Sequence, residues 1–185
     1  TIHHTAEPPQ VDLATHATYH VKRWGFEAAY HYHITALGKI EQAQPLDAWT
    51  YPNGYNNRRS VAICLAGNFD LEGKAPTWWQ QRSLLWLIRT LQAREDLPAL
   101  QYLMGHREYE DGTACPGRNF SEQAYRDRTK LVARDLPFVR TGKGEMQGGF
   151  MFANHPVLGS SAGRADWLKN TWPEVQDYGP EFADN

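Results

Sequence analysis

The sequence predicts an α/β domain in which helices lie on the faces of a central sheet. The clearest strand is the continuous apolar run at residues 61–66 (VAICLA), which suits a strand buried in the middle of a sheet. The clearest helix starts at a capping box, Thr77-Trp78-Trp79-Gln80, and continues to about residue 94. Its buried stripe comprises Leu84, Ile88 and Leu91. Strands and helices alternate along the chain, which favours this layered arrangement.

The first half of the chain supplies three further strands and a helix. Residues 2–4 form a short strand, and Asp12 caps a helix that ends near residue 23. Residues 29–35 (AYHYHIT) alternate and are rich in aromatic side chains, so they predict a strand with residues 39–44 as its hairpin partner. Strict alternation would put Tyr30 and Tyr32 on one face, and His31 and His33 on the other.

The second half supplies one strand and one helix after the capping-box helix. Residues 101–105 predict a short strand. Ser121 begins a helix that we expect to reach about residue 135, with Ala124, Leu131 and Val132 directed inward.

Length and composition exclude several classes of protein. The chain has 185 residues, 41% of them hydrophobic, and a formal net charge of −2. This is enough apolar material for one packed core. The sequence contains no run of about 18 apolar residues, so it predicts no transmembrane helix. The near-neutral charge argues against a nucleic-acid partner. Two cysteines cannot form a disulfide framework, whereas eight histidines call for a search for a metal site.

The composition changes after residue 136. Six of the 15 glycines fall between Gly142 and Gly163, and no helical or alternating pattern continues there. We therefore predict one domain at residues 1–136, followed by a Gly-rich linker and a small docking element at 137–185. The chain opens as if in the middle of a strand and has no signal peptide, so we expect a truncated N-terminus and read no compartment from it.

Three places along the chain carry candidate metal ligands. His3 and His4 end the first strand, His106 follows Gly105, and Cys115 lies nine residues after His106. A loop of that length can return to its start, so His106 and Cys115 can converge on one ion. Imidazole and thiolate suit Zn²⁺. Three protein ligands favour a catalytic zinc, whereas a structural zinc would need a fourth, for which His4 is the candidate.

Five segments in order resemble the type 2 N-acetylmuramoyl-L-alanine amidases, the superfamily of phage amidase endolysins and peptidoglycan recognition proteins. They are IHHTA, RWGFEAAYHYHI, GKIEQAQPL, NNRRSVAICLAGNFD and GHREYEDGTACPGRNF, and the resemblance covers about residues 1–135. It implies a mixed β-sheet flanked by helices, with a single zinc in a surface groove that binds peptidoglycan. It also implies hydrolysis of the amide between N-acetylmuramic acid and L-alanine.

The resemblance also implies roles for individual residues. His3, His106 and Cys115 match the zinc ligands. Tyr30 matches the active-site tyrosine, and Thr113 occupies a position that is lysine in some phage enzymes and threonine in active recognition proteins.

Substrate contacts are less closely matched. Asn57 resembles an asparagine near the groove, although Asn56 aligns equally well. Tyr51 or Pro52 replaces a histidine that phage relatives often carry. His4 neighbours a ligand and is either a substrate contact or a structural residue.

The other histidines and the second cysteine have ordinary interpretations. His16 and His20 suit packing or surface positions on the first helix, and Cys64 suits a small buried hydrophobe. The resulting hypothesis is a monomeric zinc amidase that acts on muropeptides at the bacterial cell wall, without a nucleic-acid or membrane partner. The alternative hypothesis is a non-catalytic peptidoglycan-binding module of the same fold, and retention of Cys115 favours the enzyme.

Overall fold

The computed structural model describes residues 1–25, 29–48, 50, 60–97 and 99–133, and these contain four strands and three α-helices. The strands are β1 (Ile2–His4), β2 (Tyr32–Ile34), β3 (Ile40–Gln42) and β4 (Ile63–Leu65). The helices are α1 (Leu13–Trp24), α2 (Trp78–Gln92) and α3 (Glu122–Thr129), with a short 3-10 helix at His106–Glu108. None of these helices has the length and apolarity needed to cross a membrane.

The four strands form one mixed sheet in the order β1-β4-β2-β3. β4 pairs in parallel with both β1 and β2, and β3 pairs antiparallel with β2. The predicted mixed sheet, the central position of residues 61–66 and the β2–β3 hairpin are therefore confirmed.

One face of the sheet is apolar and packs against α2, and α3 packs in turn against α2. Its core contains Ile34, Leu65 and Leu84, all with no exposed surface. The expected stripe of α2 is buried. The capping box of this helix is also formed, and the buried side chain of Gln80 donates from Nε2 to Ala66 O at 2.8 Å, which ties the start of the helix to the sheet.

The other face carries a polar row that crosses all four strands. His3 pairs with Cys64, Cys64 with His33, and His33 with Glu41, so these four residues lie side by side. We call them the polar row. Helix α1 approaches this face, because the ring of its His16 lies 6.3 Å from that of His33. The candidate ligand His3 stands at the β1 end of the row.

The pairing around His31 changes which face Tyr30 occupies. The amides of His31 and Tyr32 both donate to Ala62 O, at 2.9 and 3.1 Å, and the amides of Ala43 and Gln44 both donate to His31 O. Two residues, His31 and Tyr32, thus face the single residue Ala62, and on the other side Ala43 and Gln44 face the single residue His31. This is the pairing of a β-bulge, and the regular strand β2 therefore begins only at Tyr32. Tyr32 packs in the apolar core, whereas the Tyr30 ring packs against rings of the polar face. The expectation that Tyr30 and Tyr32 share a face is wrong for this reason.

Two other expectations need correction. Residues 101–105 form no regular strand; they contribute isolated bridges, Ile2 with Gly105 and Tyr102 with Val132, before the chain turns into the 3-10 helix. Helix α3 ends at Thr129 because Lys130 adopts a left-handed conformation with φ 61°. Leu131 is buried as expected, but Val132, beyond this end, is exposed, and so is Ala124 within the helix.

Candidate functional site

The three predicted metal ligands converge. The ligand atoms of His3, His106 and Cys115 all lie within 4.8 Å of one another. Nδ1 of His3 is 3.7 Å from Sγ of Cys115, and the rings of His3 and His106 are 4.8 Å apart. Ligands of one tetrahedral zinc are separated by roughly 3.5 Å, given bond lengths of about 2.0–2.3 Å. Among the described residues this is the only group of three or more side chains that could hold a metal ion.

Each candidate imidazole has a partner on its second nitrogen. Nε2 of His3 lies 3.3 Å from the hydroxyl of Tyr109, and Nε2 of His106 lies 2.6 Å from Oε2 of Glu110. Partners of this kind orient metal-binding histidines. Neither residue was predicted from the sequence, although the position of Glu110, four residues after His106, was a signal.

The thiol of Cys115 is protonated in the absence of a cation. Burial raises its pKa to about 12, and a hydrogen bond from the His4 backbone lowers it only in part. Because a coordinated thiol loses its proton, a bound divalent cation would reverse this shift. The donor set of two imidazoles and one thiol therefore fits zinc.

The loop between His106 and Cys115 is closed by backbone bonds. The amide of Arg107 donates to Cys115 O at 2.7 Å, and the amide of Cys115 donates to Oγ1 of Thr113 at 3.2 Å. The hydroxyl of half-buried Thr113 is the acceptor in this bond, so its hydrogen can still be donated to another group. Thr113 therefore lies directly beside the backbone of the ligand Cys115.

Tyr30 lies beside the candidate ligands. Its ring is 5.1 Å from the ring of His3 and stacks almost parallel to that of His16, at 5.9 Å and 10°. Burial raises the pKa of the Tyr30 phenol well above its usual value, and the thiols of Cys64 and Cys115 add to this effect. Tyr30 is accordingly a protonated phenol, and hence a hydrogen-bond donor, at neutral pH. Cys64 is fully buried, as predicted for a small hydrophobe, and it is one of the groups that raise the pKa of the Tyr30 phenol.

Two further histidines on this face, His16 and His33, each pair with a carboxylate. Nδ1 of His16 is 2.7 Å from Oε2 of Glu7, and Nδ1 of His33 is 3.0 Å from Oε2 of Glu41. Both imidazoles are almost fully buried. Of the packing or surface positions that the sequence predicts for His16 and His20, the structure shows packing: both residues are buried, and their rings lie 4.1 Å apart.

His4 is directed away from the three ligands. Its Nδ1 accepts a hydrogen bond from the amide of Phe69 at 3.1 Å, and only 6% of the residue is exposed. It is not part of the ligand group found among the described residues, so a closed four-ligand structural site is not favoured. Tyr51, Pro52, Asn56 and Asn57 lie outside the described residues, as does the segment 137–185.

Comparison with known proteins supports the resemblance. A family profile described as N-acetylmuramoyl-L-alanine amidase matches residues 1–118. No curated protein sequence matches the chain. Among solved structures, the chain is similar to the N-acetylmuramoyl-L-alanine amidase LysC from Clostridium intestinale URNW, with a TM-score of 0.61 and 25% identity over 70% of this chain and 83% of that one.

Two other solved structures extend the comparison. The Ph2119 endolysin from the Thermus scotoductus MAT2119 bacteriophage has a TM-score of 0.55 and 26% identity, over 69% of this chain and 81% of that one. The Drosophila peptidoglycan recognition protein SD has a TM-score of 0.59 and 24% identity, over 66% and 76%, and shows likeness of fold alone. The family profile spans well over half of the chain, and the chain therefore belongs to the N-acetylmuramoyl-L-alanine amidase family.

Proposed function

We propose that this protein is a zinc-dependent amidase that hydrolyses the bond between N-acetylmuramic acid and L-alanine in bacterial peptidoglycan. The observation that carries the proposal is the convergence of His3, His106 and Cys115, with the Tyr30 ring 5.1 Å from His3. Membership of the amidase family supports the same reaction. We further propose that it acts as a monomer at the bacterial cell wall.

The ligand set suits a catalytic rather than a structural metal. Two neutral imidazoles and one thiolate would leave zinc a formal charge of +1 and a fourth position for substrate or water. When bound, zinc supplies Lewis acidity, which lowers the pKa of a bound water to about 7 and polarises a carbonyl group. Tyr109 and Glu110 would hold the two imidazoles in orientation.

The remaining chemistry belongs to Tyr30 and Thr113. Because its pKa is raised, the Tyr30 phenol keeps its proton and can donate a hydrogen bond to the carbonyl oxygen as negative charge develops there. The Thr113 hydroxyl can donate to the same oxygen. Removal of one such donor typically lowers the rate by about 10²–10³.

Substrate contacts and wall docking complete the proposal. We propose that Asn57, Tyr51 and His4 contact the muropeptide. The segment 137–185 would dock the domain, residues 1–136, on the cell wall. A chain truncated at Leu136 is then expected to cleave soluble muropeptide normally but whole walls more slowly.

The alternative function is recognition of peptidoglycan without hydrolysis. The fold is shared with a Drosophila peptidoglycan recognition protein, so the fold alone does not separate the two functions. Cys115 favours hydrolysis, because a module that only binds substrate has no need of a third metal ligand beside Tyr30.

Digestion of purified murein tests the proposal. Zinc-loaded protein should release peptides with new L-alanine amino termini, and both a chelator and Cys115→Ala should abolish the release. Arg118→Gln is the matched control, because it changes an exposed side chain on the same loop and should keep activity. Binding of murein by zinc-loaded protein without new amino termini would instead establish the recognition function.

A further inference from the structure

We propose that Arg107, held by Glu122, is the positioning residue that sets the separation of His106 and Cys115. The inference rests on the metal site of the proposed function, but it does not require that the protein be an active amidase. Arg107 immediately follows one ligand and bonds to the backbone around the other.

The guanidinium of Arg107 spans the ligand loop. Nη1 donates to Gly117 O at 2.7 Å and Nη2 donates to Phe120 O at 2.9 Å, while the backbone amide donates to Cys115 O at 2.7 Å. Three bonds thus join the residue after His106 to the backbone at and beyond Cys115. The planar fork of arginine fits two carbonyl groups at once, which the single ammonium of lysine cannot reproduce.

Glu122 anchors this guanidinium to the first turn of α3. Its Oε2 lies 2.5 Å from Nη2 of Arg107, and the residue is only 6% exposed. Breaking a buried pair of this kind leaves an uncompensated charge in the interior. The ligand loop is therefore attached to a regular helix that is itself packed against α2.

The same carboxylate also limits the residue that precedes His106. A Cβ on Gly105 would lie 2.1 Å from Oε1 of Glu122, so the backbone here fits directly against the carboxylate. Within the described residues Oε1 has no hydrogen-bond partner, although it is buried. Glu122 hence lies against both neighbours of His106 in the chain.

A second ion pair reinforces the first from the next turn of α3. Arg126 pairs with Glu108 and donates from Nε to Leu103 O at 2.9 Å, and Glu108 accepts from the amide of Gly105 at 2.7 Å. We call Arg107, Glu108, Glu122 and Arg126 the α3 brace. The α3 brace fixes the backbone before His106 and after Cys115. None of its bonds involves a metal-ligating atom, so these atoms stay available for the metal.

Two variants test the brace through zinc binding. Glu122→Gln removes the charge but keeps the shape, and Arg107→Lys keeps the charge but removes the fork. In the full chain we expect each to raise the dissociation constant for Zn²⁺, measured by competition with a chromophoric chelator, about 10–100-fold. Arg118→Gln, with its side chain 75% exposed, is the control and should stay within about twofold of the wild type.

Thermal unfolding separates positioning from simple stabilisation. We expect the difference in Tm between zinc-loaded and metal-free protein to shrink in the two variants, and the ligand-field bands of the Co²⁺-substituted protein to shift. Equal losses of Tm in both forms, with unchanged zinc affinity and cobalt spectrum, would show that the brace only stabilises the fold. Failure of the wild type to bind zinc would also overturn the inference, whereas zinc binding without amidase activity would overturn the proposed function alone.

Discussion

His31 should make the protein sensitive to mild acid. The residue is 1% exposed; Nδ1 accepts a hydrogen bond from the Ala62 amide at 3.0 Å, and Nε2 lies 3.2 Å from Ala48 O. These contacts define a neutral imidazole with its proton on Nε2. A second proton, on Nδ1, would face an N–H donor, so acid must either break the bond to Ala62 or unfold the chain.

The size of the effect follows from the pKa. Burial lowers the pKa of His31 from 6.5 to about 4, with a smaller opposite effect from the bond to Ala48. Between these two values the unfolded chain binds more protons than the folded one, so the free energy of unfolding falls as the pH falls from 6.5 towards 4. At pH 5 the loss is roughly 2 kcal/mol relative to pH 7.5. Burial also lowers the pKa of His16 to about 4, so the two together would remove roughly 4 kcal/mol.

Urea unfolding of metal-free protein at pH 7.5, 6 and 5 measures this directly. A loss of about 4 kcal/mol would be a large share of the 5–15 kcal/mol typical of a domain. His31→Gln keeps a donor for Ala48 but cannot titrate, so its pH dependence should be shallower by about 2 kcal/mol at pH 5, whatever its stability at pH 7.5. His16→Gln should reduce the pH dependence by a similar amount, and the reductions should add in the double variant. Identical pH dependence in the wild type and all three variants would refute the reasoning.

Three further predictions concern single positions. Thr77→Ala should lower the free energy of unfolding by about 1–2 kcal/mol in urea titrations, because the helix loses its capping side chain. Gly117→Ala should destabilise the protein far more than Gly112→Ala in the same assay. Both glycines have positive φ, but only at Gly117 would a Cβ meet backbone, 2.7 Å from the carbonyl carbon of Phe69, and equal losses would contradict this. Tyr30→Phe should lower kcat on murein by about 10²–10³ with unchanged zinc affinity, and an unchanged kcat would remove Tyr30 from the proposed chemistry.

The main elements could be predicted because their signals are local. The cap at Asp12, the capping box at Thr77 and the apolar run at residues 61–66 depend on neighbours in sequence, and all three are confirmed. The convergence of His3 with His106 and Cys115 came from the resemblance together with loop length, and the geometry agrees.

Features that depend on pairing between distant segments could not be predicted. The bulge at His31 arises from how Ala62 and Ala43 meet the strand, and alternation within residues 29–35 carries no trace of it. For the same reason the carboxylate partners of His16 and His33 could not be predicted from the sequence. Glu7 lies in a bend and Glu41 on another strand, so only the fold brings each one to its imidazole.

The polar row has a consequence for the accuracy of folding. Every strand of the sheet is only three residues long, so its ladder alone offers little resistance to a shift in pairing. A slip of β4 by one residue would turn Cys64 into the apolar core and bring Ile63 or Leu65 opposite His3 and His33. In such a misfolded sheet the imidazoles of His3 and His33 would lie against hydrocarbon side chains instead of Cys64, and the environment of the candidate metal site would be lost. The polar row thus favours the correct alignment of the strands, in addition to carrying the candidate ligand His3.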